Sequence, residues 1–319
     1  MIFKTKKELF LIPKETELPN FKKENKMKKL VILIVICLSN ISFGQEVKRF
    51  ESSRGVSHLC GEFNVEVLEE DENFQKWFVK NYEEFPEVEK QKWAKKLKDV
   101  EVDIYLGTWC GDSKRWVPRF VKIWDDLGLK REQLKFIALY DSTKENTYKQ
   151  SPDGEEKGKG IHRVPTFIFK RNQEEIARIV ETPNNSLEVD IKQIAMDCPS
   201  KPNYRVANYF MKEFQEKNID EIYENYSDYY RKAYYTDSYS ELNTAGRVFA
   251  ESGDLSKAII IFRINSRIHS YEPRAYSNLA YALELDSKYE EAIENYEKVL
   301  LLDRSNESAK EGLKELRNK

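Results

Sequence analysis

The chain has 319 residues, 34% of them charged and 40% hydrophobic, enough to bury more than one core beneath a well-solvated surface. Its formal charge is −2, and no apolar run approaches the roughly 20 residues needed to cross a bilayer, so stable membrane insertion is not expected. Four cysteines are too few for a disulfide scaffold, and three histidines (His58, His162, His269) show no metal-ligand spacing, so neither a metal nor a cofactor is expected.

The longest apolar run, Leu30 to Leu38, follows Lys28-Lys29 and precedes Ser39-Asn40. Read from Met27, residues 27–44 have the form of a secretory signal peptide, with Ser42 and Gly44 at the −3 and −1 positions of cleavage before Gln45. Residues 1–26 then read as a non-native extension, and the product as exported, to a periplasmic location. Cys37 sits inside the apolar run and carries no lipid-anchor motif. Residues 1–44 hold nine Lys and four acidic residues, which leaves 44 basic against 51 acidic, a net of −7. That sign opposes nucleic acid, whose binding needs a basic face to neutralise phosphates. Cys60, Cys110 and Cys198 remain, an odd number that leaves at least one thiol free or paired between molecules.

Residues 45–99 are expected to be an N-terminal helical extension of the domain that follows. Its first part, to residue 72, is mixed. From 73 to 98 the pattern predicts helices broken at Pro86, with Phe74, Trp77 and Phe78 on one face and Trp93 and Leu97 on the next. Val100–Leu106 predicts a strand with Val100, Val102, Ile104 and Leu106 on one face and Asp103 and Tyr105 on the other. Gly107-Thr108 predicts a turn, and a helix follows from Ser113 to Leu127, stopped by Gly128. Leu134–Tyr140 predicts a strand buried on both faces, and 142–160 a mobile surface loop. Thr166–Lys170 and Glu175–Glu181 predict a hairpin turning at Arg171-Asn172-Gln173, and Ser186–Met196 a closing helix. This order implies an α/β unit, a small sheet covered on both faces.

From Asn203 the pattern is helical and repeats every 34 residues: Leu242/Tyr276, Ala245/Leu279, Gly246/Ala280, Phe249/Leu283, Ala258/Ala292 and Phe262/Tyr296. Small residues recur where two helices cross closely, and bulky ones fill the spaces between. The period and arrangement resemble the tetratricopeptide repeat, best over 274–307, where Arg304 replaces the usual proline. Residues 240–273 read as a second such repeat, 308–319 as a capping helix, and 203–238 as a degenerate helix pair. In that pair Val206, Phe210 and Phe214 form one stripe, and Ile219, Ile222, Tyr223, Tyr226, Tyr230, Ala233 and Tyr234 another. The tyrosines are expected to pack rather than to bind a ligand. The resemblance implies protein or peptide clients.

The segment Val102-Asp-Ile-Tyr-Leu-Gly-Thr-Trp-Cys-Gly-Asp-Ser-Lys114 joins strand, turn, Trp109-Cys110 and helix. Pro118 lies eight residues after Cys110, and Gly160-Ile-His-Arg-Val-Pro-Thr166 precedes a strand. Together these resemble the thioredoxin-like superfamily over residues 100–198. The resemblance implies a cis peptide at Val164–Pro165, a catalytic Cys110, and support from Trp109, Gly111, Asp112 and Thr166. A cysteine at a helix N-terminus meets unpaired N–H groups and the positive end of the dipole, which favour the reactive thiolate.

The departures are equally specific. Ser113 stands where thioredoxins carry a second cysteine, so no Cys-x-x-Cys disulfide can form, although its hydroxyl is able to donate to the Cys110 thiolate. Ile104 occupies the position of the usual buried acid. Asp112 sets a like charge beside Cys110, or else caps the helix with Lys114 offsetting it. His162 is expected to face solvent. Cys60 is a better candidate disulfide partner for Cys110 than Cys198. Two functions follow: weak or monothiol thiol-disulfide exchange at Cys110 with clients held by the repeats, or a redox-inactive fold serving a repeat-based interaction protein.

Overall fold

The computed structural model describes residues 47–141, 148–236 and 238–318, so the expected extension 1–26 and signal segment 27–44 lie outside the described residues. The described chain opens with strands β1 (Arg49–Glu51), β2 (Ser57–Leu59) and β3 (Gly61–Phe63). Helices α1 (Glu66–Glu70) and α2 (Gln75–Glu83) and a 3₁₀ turn (Lys92–Leu97) follow. The segment expected to be a helical extension therefore begins with strands. β1 and β2 form a hairpin, and β3 pairs antiparallel with β5 (Leu134–Ala138) through Phe63 and Phe136. Those strands are three residues each, too short for an alternating pattern to stand out in the sequence.

A five-stranded mixed sheet runs β3-β5-β4-β6-β7, with β4 at Val100–Leu106, β6 at Thr166–Arg171 and β7 at Glu174–Val180. β4 and β5 are parallel, and β6 and β7 run antiparallel to their neighbours. Alternation fixes which residues face which layer. Val100, Val102, Ile104 and Leu106 join Phe136, Phe167 and Phe169 in the main core, beneath α2, α3 (Gly111–Asp126) and α4 (Leu187–Ala195). Tyr105, Ile137 and Ile168 point the other way and are covered by Ile161 and Val164. α3 stops where Gly128 takes φ +70°, a left-handed conformation suited to a residue without Cβ. The β6–β7 turn places Asn172 and Gln173 at positive φ, as a two-residue hairpin demands.

Residues 148–160, expected within a mobile surface loop, pack instead: Tyr148, Lys149, Ser151 and Glu156 are buried. Local polar bonds make this tolerable, with Ser151 Oγ 2.5 Å from Glu156 Oε2 and the Tyr105 hydroxyl donating to the Glu155 carbonyl at 2.9 Å. Composition marks such a segment as polar but says nothing about bonds it makes to itself.

The helical part comprises α5 (Arg205–Glu216), α6 (Ile219–Glu224), α7 (Tyr226–Ala233), α8 (Tyr239–Glu251), α9 (Leu255–Ile268), α10 (Pro273–Leu285), α11 (Tyr289–Leu302) and α12 (Glu307–Leu316). Val206, Phe210 and Phe214 are buried together. The expected helix pair over 203–238 is three helices, because the chain breaks at Asn225. Ile222, Tyr229 and Ala233, seven and four residues apart, share one stripe and are buried, while Tyr223 and Tyr234 beside it are exposed. Tyr204, ahead of α5, is left-handed at φ 60° and makes no capping bond. The Glu241 carboxylate of α8 accepts from Val206 N and Ala207 N instead (2.9 and 3.1 Å), closing the helix end from outside.

Candidate active site

The site starts at the C-terminal end of β4. Gly107 begins a turn in which Cys110 N donates to the Gly107 carbonyl at 2.9 Å. A Cβ on Gly107 would lie 2.6 Å from the Trp109 ring, so the absence of a side chain is what lets the indole fold back over the turn. Trp109 Nε1 donates to the Leu139 carbonyl at 2.9 Å. Thr108 is buried, and its Oγ1 accepts from Leu59 N at 3.1 Å and lies 3.2 Å from His58 Nδ1, which ties the turn to β2. His58 is buried too, and burial and then Lys114 push its pKa down.

Cys110 is the N-cap residue of α3, with extended backbone and a partly exposed side chain. Its thiol donates to the Val164 carbonyl at 3.3 Å, and the Val164–Pro165 peptide is cis. Thr166 Oγ1 donates to the Arg163 carbonyl at 2.7 Å, holding the end of that loop. Gly111, the first residue of α3, is exposed. The thiol therefore sits between an unsatisfied helix N-terminus and a loop whose carbonyl it already engages.

Ser113 is fully buried, and its Oγ accepts from Gly107 N at 3.2 Å. The hydroxyl expected to face the thiolate thus stabilises the turn. Cys110, not Asp112, holds the N-cap position of α3, and Asp112 lies inside the first turn, which corrects the expected cap. Burial and then Glu181 raise its pKa, while Arg115 and Arg163, rather than Lys114, oppose that rise. Ile104 is fully buried, and Asp103 on the opposite face pairs with Lys170 at 2.7 Å. Cys60, Cys110 and Cys198 are all free thiols. Cys60 is buried between β2 and β3, where burial raises its pKa and its thiol bonds with the Tyr140 side chain. The pairing expected for Cys60 is not formed. Among the described residues no group of three or more His, Cys, Asp or Glu is placed to hold a metal ion.

The structure adds residues the sequence did not single out. Tyr148 lies beside Trp109, with ring centroids 6.1 Å apart. Lys149 is buried, donates from Nζ to the His162 carbonyl at 2.6 Å, and is pushed down to about 7 by burial. His162, expected at the surface, is only 1% exposed. Its Nδ1 is 3.3 Å from the Gly160 carbonyl, its ring meets Tyr204 edge-on, and Nε2 is buried without a partner. Arg163 links three elements: Nη1 pairs with Glu181 at 3.0 Å, Nη2 donates to the Ser240 carbonyl of α8 at 2.9 Å, and the guanidinium stacks on Tyr204 at 4.3 Å. The helical part thus packs directly on the cis-proline loop. No local pattern announces this, since each partner lies at least 18 residues away in sequence.

Residues 273–306 match the family model of the tetratricopeptide repeat. The chain is also similar to Thioredoxin H9 of Arabidopsis thaliana, 27% identical over 119 residues that span 35% of this chain and 76% of that protein. With the mixed sheet and its helices, these similarities describe a thioredoxin-like domain followed by a protein-interaction module. No helix among the described residues is long and apolar enough to cross a membrane.

Proposed function

We propose, from a thioredoxin-like domain joined to tetratricopeptide-type helices, that the protein exchanges disulfides with protein clients through Cys110 alone. The observation that carries this reading is the partly exposed Cys110 thiol at the start of α3, 3.3 Å from the carbonyl before cis-Pro165. Its thiolate attacks one sulfur of a client disulfide; a bond forms to Cys110 Sγ, and the other client sulfur leaves as a thiolate. Release requires a second thiolate, from the client or from a small-molecule thiol, because Ser113 has none to offer. The mixed disulfide is therefore long-lived, and the helical repeats hold the client while it lasts.

Trapping with the full chain tests this. The protein used carries Cys198→Ser, which removes the exposed second thiol. It is expected to form client adducts that dithiothreitol reverses, the further Cys110→Ser change to abolish them, and Ser113→Cys to shorten adduct lifetime at least ~10-fold by supplying a resolving thiol. Adducts that persist after the Cys110→Ser change, or their absence before it, overturn the reading.

The second reading, binding without redox turnover, is favoured by the apolar Ile104 and by a Ser113 hydroxyl engaged with Gly107. It expects client capture to be unchanged in Cys110→Ser. Export belongs to the first reading and requires Gln45 as the mature N-terminus; sequencing the exported fraction tests it, and any other N-terminus sinks it.

A further inference from the structure

We propose that Arg247 of the helical repeats reads the client at the thiol site, selecting segments that carry a carboxylate two or three residues from the exchanging cysteine. This rests on Cys110 being the exchanging thiol.

Three observations lead to it. First, α8 is fixed against the thiol site rather than hung beside it. Arg163, one residue before Val164, binds the Ser240 carbonyl in the first turn of α8 while paired with Glu181. Both side chains of that pair are mostly buried. Second, two turns further along α8, the Arg247 guanidinium lies over the Tyr148 ring at 3.9 Å, and that ring is 6.1 Å from Trp109. The two separations place the guanidinium within about 10 Å of the indole beside Cys110. An extended chain advances about 3.3–3.6 Å per residue, so three residues cover that distance from the indole, or two with the reach of the client's own side chain.

Third, Arg247 is, among the described residues, the accessible cation of this cluster. Lys149 is buried and donates to the His162 carbonyl, and Arg163 is committed to Glu181 and Ser240. The Arg247 side chain is 41% exposed, and its one ion pair among the described residues is a long contact to Glu251, 3.5 Å away on the next turn. On its other side it borders a cavity of about 360 Å³ between the repeat helices, lined also by Asn243, Glu251, Asn278 and Tyr281. With its flat face supported by an aromatic ring and only Nε turned toward Glu251, the guanidinium still presents its two Nη groups to a carboxylate, the partner whose geometry it matches best. The repeats thereby contribute a specificity residue to chemistry carried out on the other domain.

The test uses full-length protein carrying Cys198→Ser as the parent, so that the exposed second thiol does not react, and synthetic peptides with one cysteine, held as a disulfide to a chromogenic thiol. Asp, Asn or Lys occupies the second and third positions from the cysteine. The parent is expected to form the mixed disulfide about fivefold faster with Asp than with Asn, and more slowly with Lys, as an exposed ion pair would give. The Asp/Asn ratio should shrink in 0.5 M salt, fall to about one in Arg247→Met, and be partly restored in Arg247→Lys. Equal Asp and Asn rates in the parent, or an unchanged ratio in Arg247→Met, overturn the proposal. The salt series on the parent judges it even if a variant fails to fold. If no peptide forms a mixed disulfide, the thiol reading fails on its own. Fluorescence anisotropy with serine in place of the peptide cysteine then still reads the Asp/Asn contrast at Arg247.

Discussion

Gly246→Val is expected to destabilise the helical repeats by about 3 kcal/mol. Gly246 lies in α8 where α9 crosses it, and a Cβ there would sit 2.5, 2.8 and 2.9 Å from three carbons of the Phe262 ring. Carbon atoms settle at about 3.5–4.0 Å, so the overlap is severe. Phe262 is 2% exposed within the helical core, and although it borders the cavity that Arg247 also lines, its ring can move there only by giving up its packing against that core. Valine's better helix propensity than glycine's, worth less than about 1 kcal/mol, does not offset that clash. Shortening the neighbour should relieve it. Phe262→Leu alone costs about 1 kcal/mol or more by leaving a void, yet in the double variant the valine side chain fills that void. Urea unfolding of the two single variants and the double variant reads the coupling. The pair is expected to lose at least about 1 kcal/mol less than the sum of the singles. Additive losses would show that the α8–α9 crossing relaxes around a side chain and that glycine is not what sets it.

That crossing was legible in the sequence because it is local and periodic. Gly246 and Phe262 fall in the 34-residue pattern, and the strand–turn–helix around Cys110 follows from alternation, Gly107 and Gly128. What escaped depends on contacts made across long loops. Three-residue strands such as β3 carry no periodic signal, and β3 is placed by its pairing with β5. The buried stripe of α6 and α7 is narrower than the tyrosine pattern implied: Ile222, Tyr229 and Ala233 are its centre, and Tyr223 and Tyr234 are exposed. Aromatic residues flank it on both sides, and periodicity alone does not choose among them. At the site, the residues near Cys110 in sequence were found, but their bonds were not. Ser113 turns to Gly107, and Asp112 lies inside the first turn of α3 rather than at its cap. Arg163, Tyr148, Lys149 and Arg247 lie 38 to 137 residues from Cys110 and are assembled by the packing of α8 on the cis-proline loop.

His162 provides the second large effect, this time on pH dependence. Its ring is enclosed by Gly160, Tyr204 and the Lys149 side chain, and Nε2 has no partner to receive a proton's charge. Burial, and then the neighbouring Lys149 cation, lower its pKa from 6.5 to about 3. Between those two values the unfolded chain holds a proton that the folded chain refuses, so stability rises with pH across this window and is lost as pH falls through it. From pH 7.0 down to 4.5 this one residue is expected to remove about 2 kcal/mol. His162→Gln is close in size, keeps a donor for the Gly160 carbonyl and does not titrate in this range. The drop in unfolding free energy between the two pH values should therefore be about 2 kcal/mol smaller in His162→Gln than in wild type. Carboxylates elsewhere titrate equally in both proteins and cancel in the comparison. Lys149, lowered to about 7, acts in a higher window, where its burial becomes less unfavourable as pH rises from 7 toward 10.5. If both proteins lose the same stability at pH 4.5, then His162 is reached by water in solution. The loop it anchors, which carries Val164 to the Cys110 thiol, would then not be the closed element that the reading of the site requires.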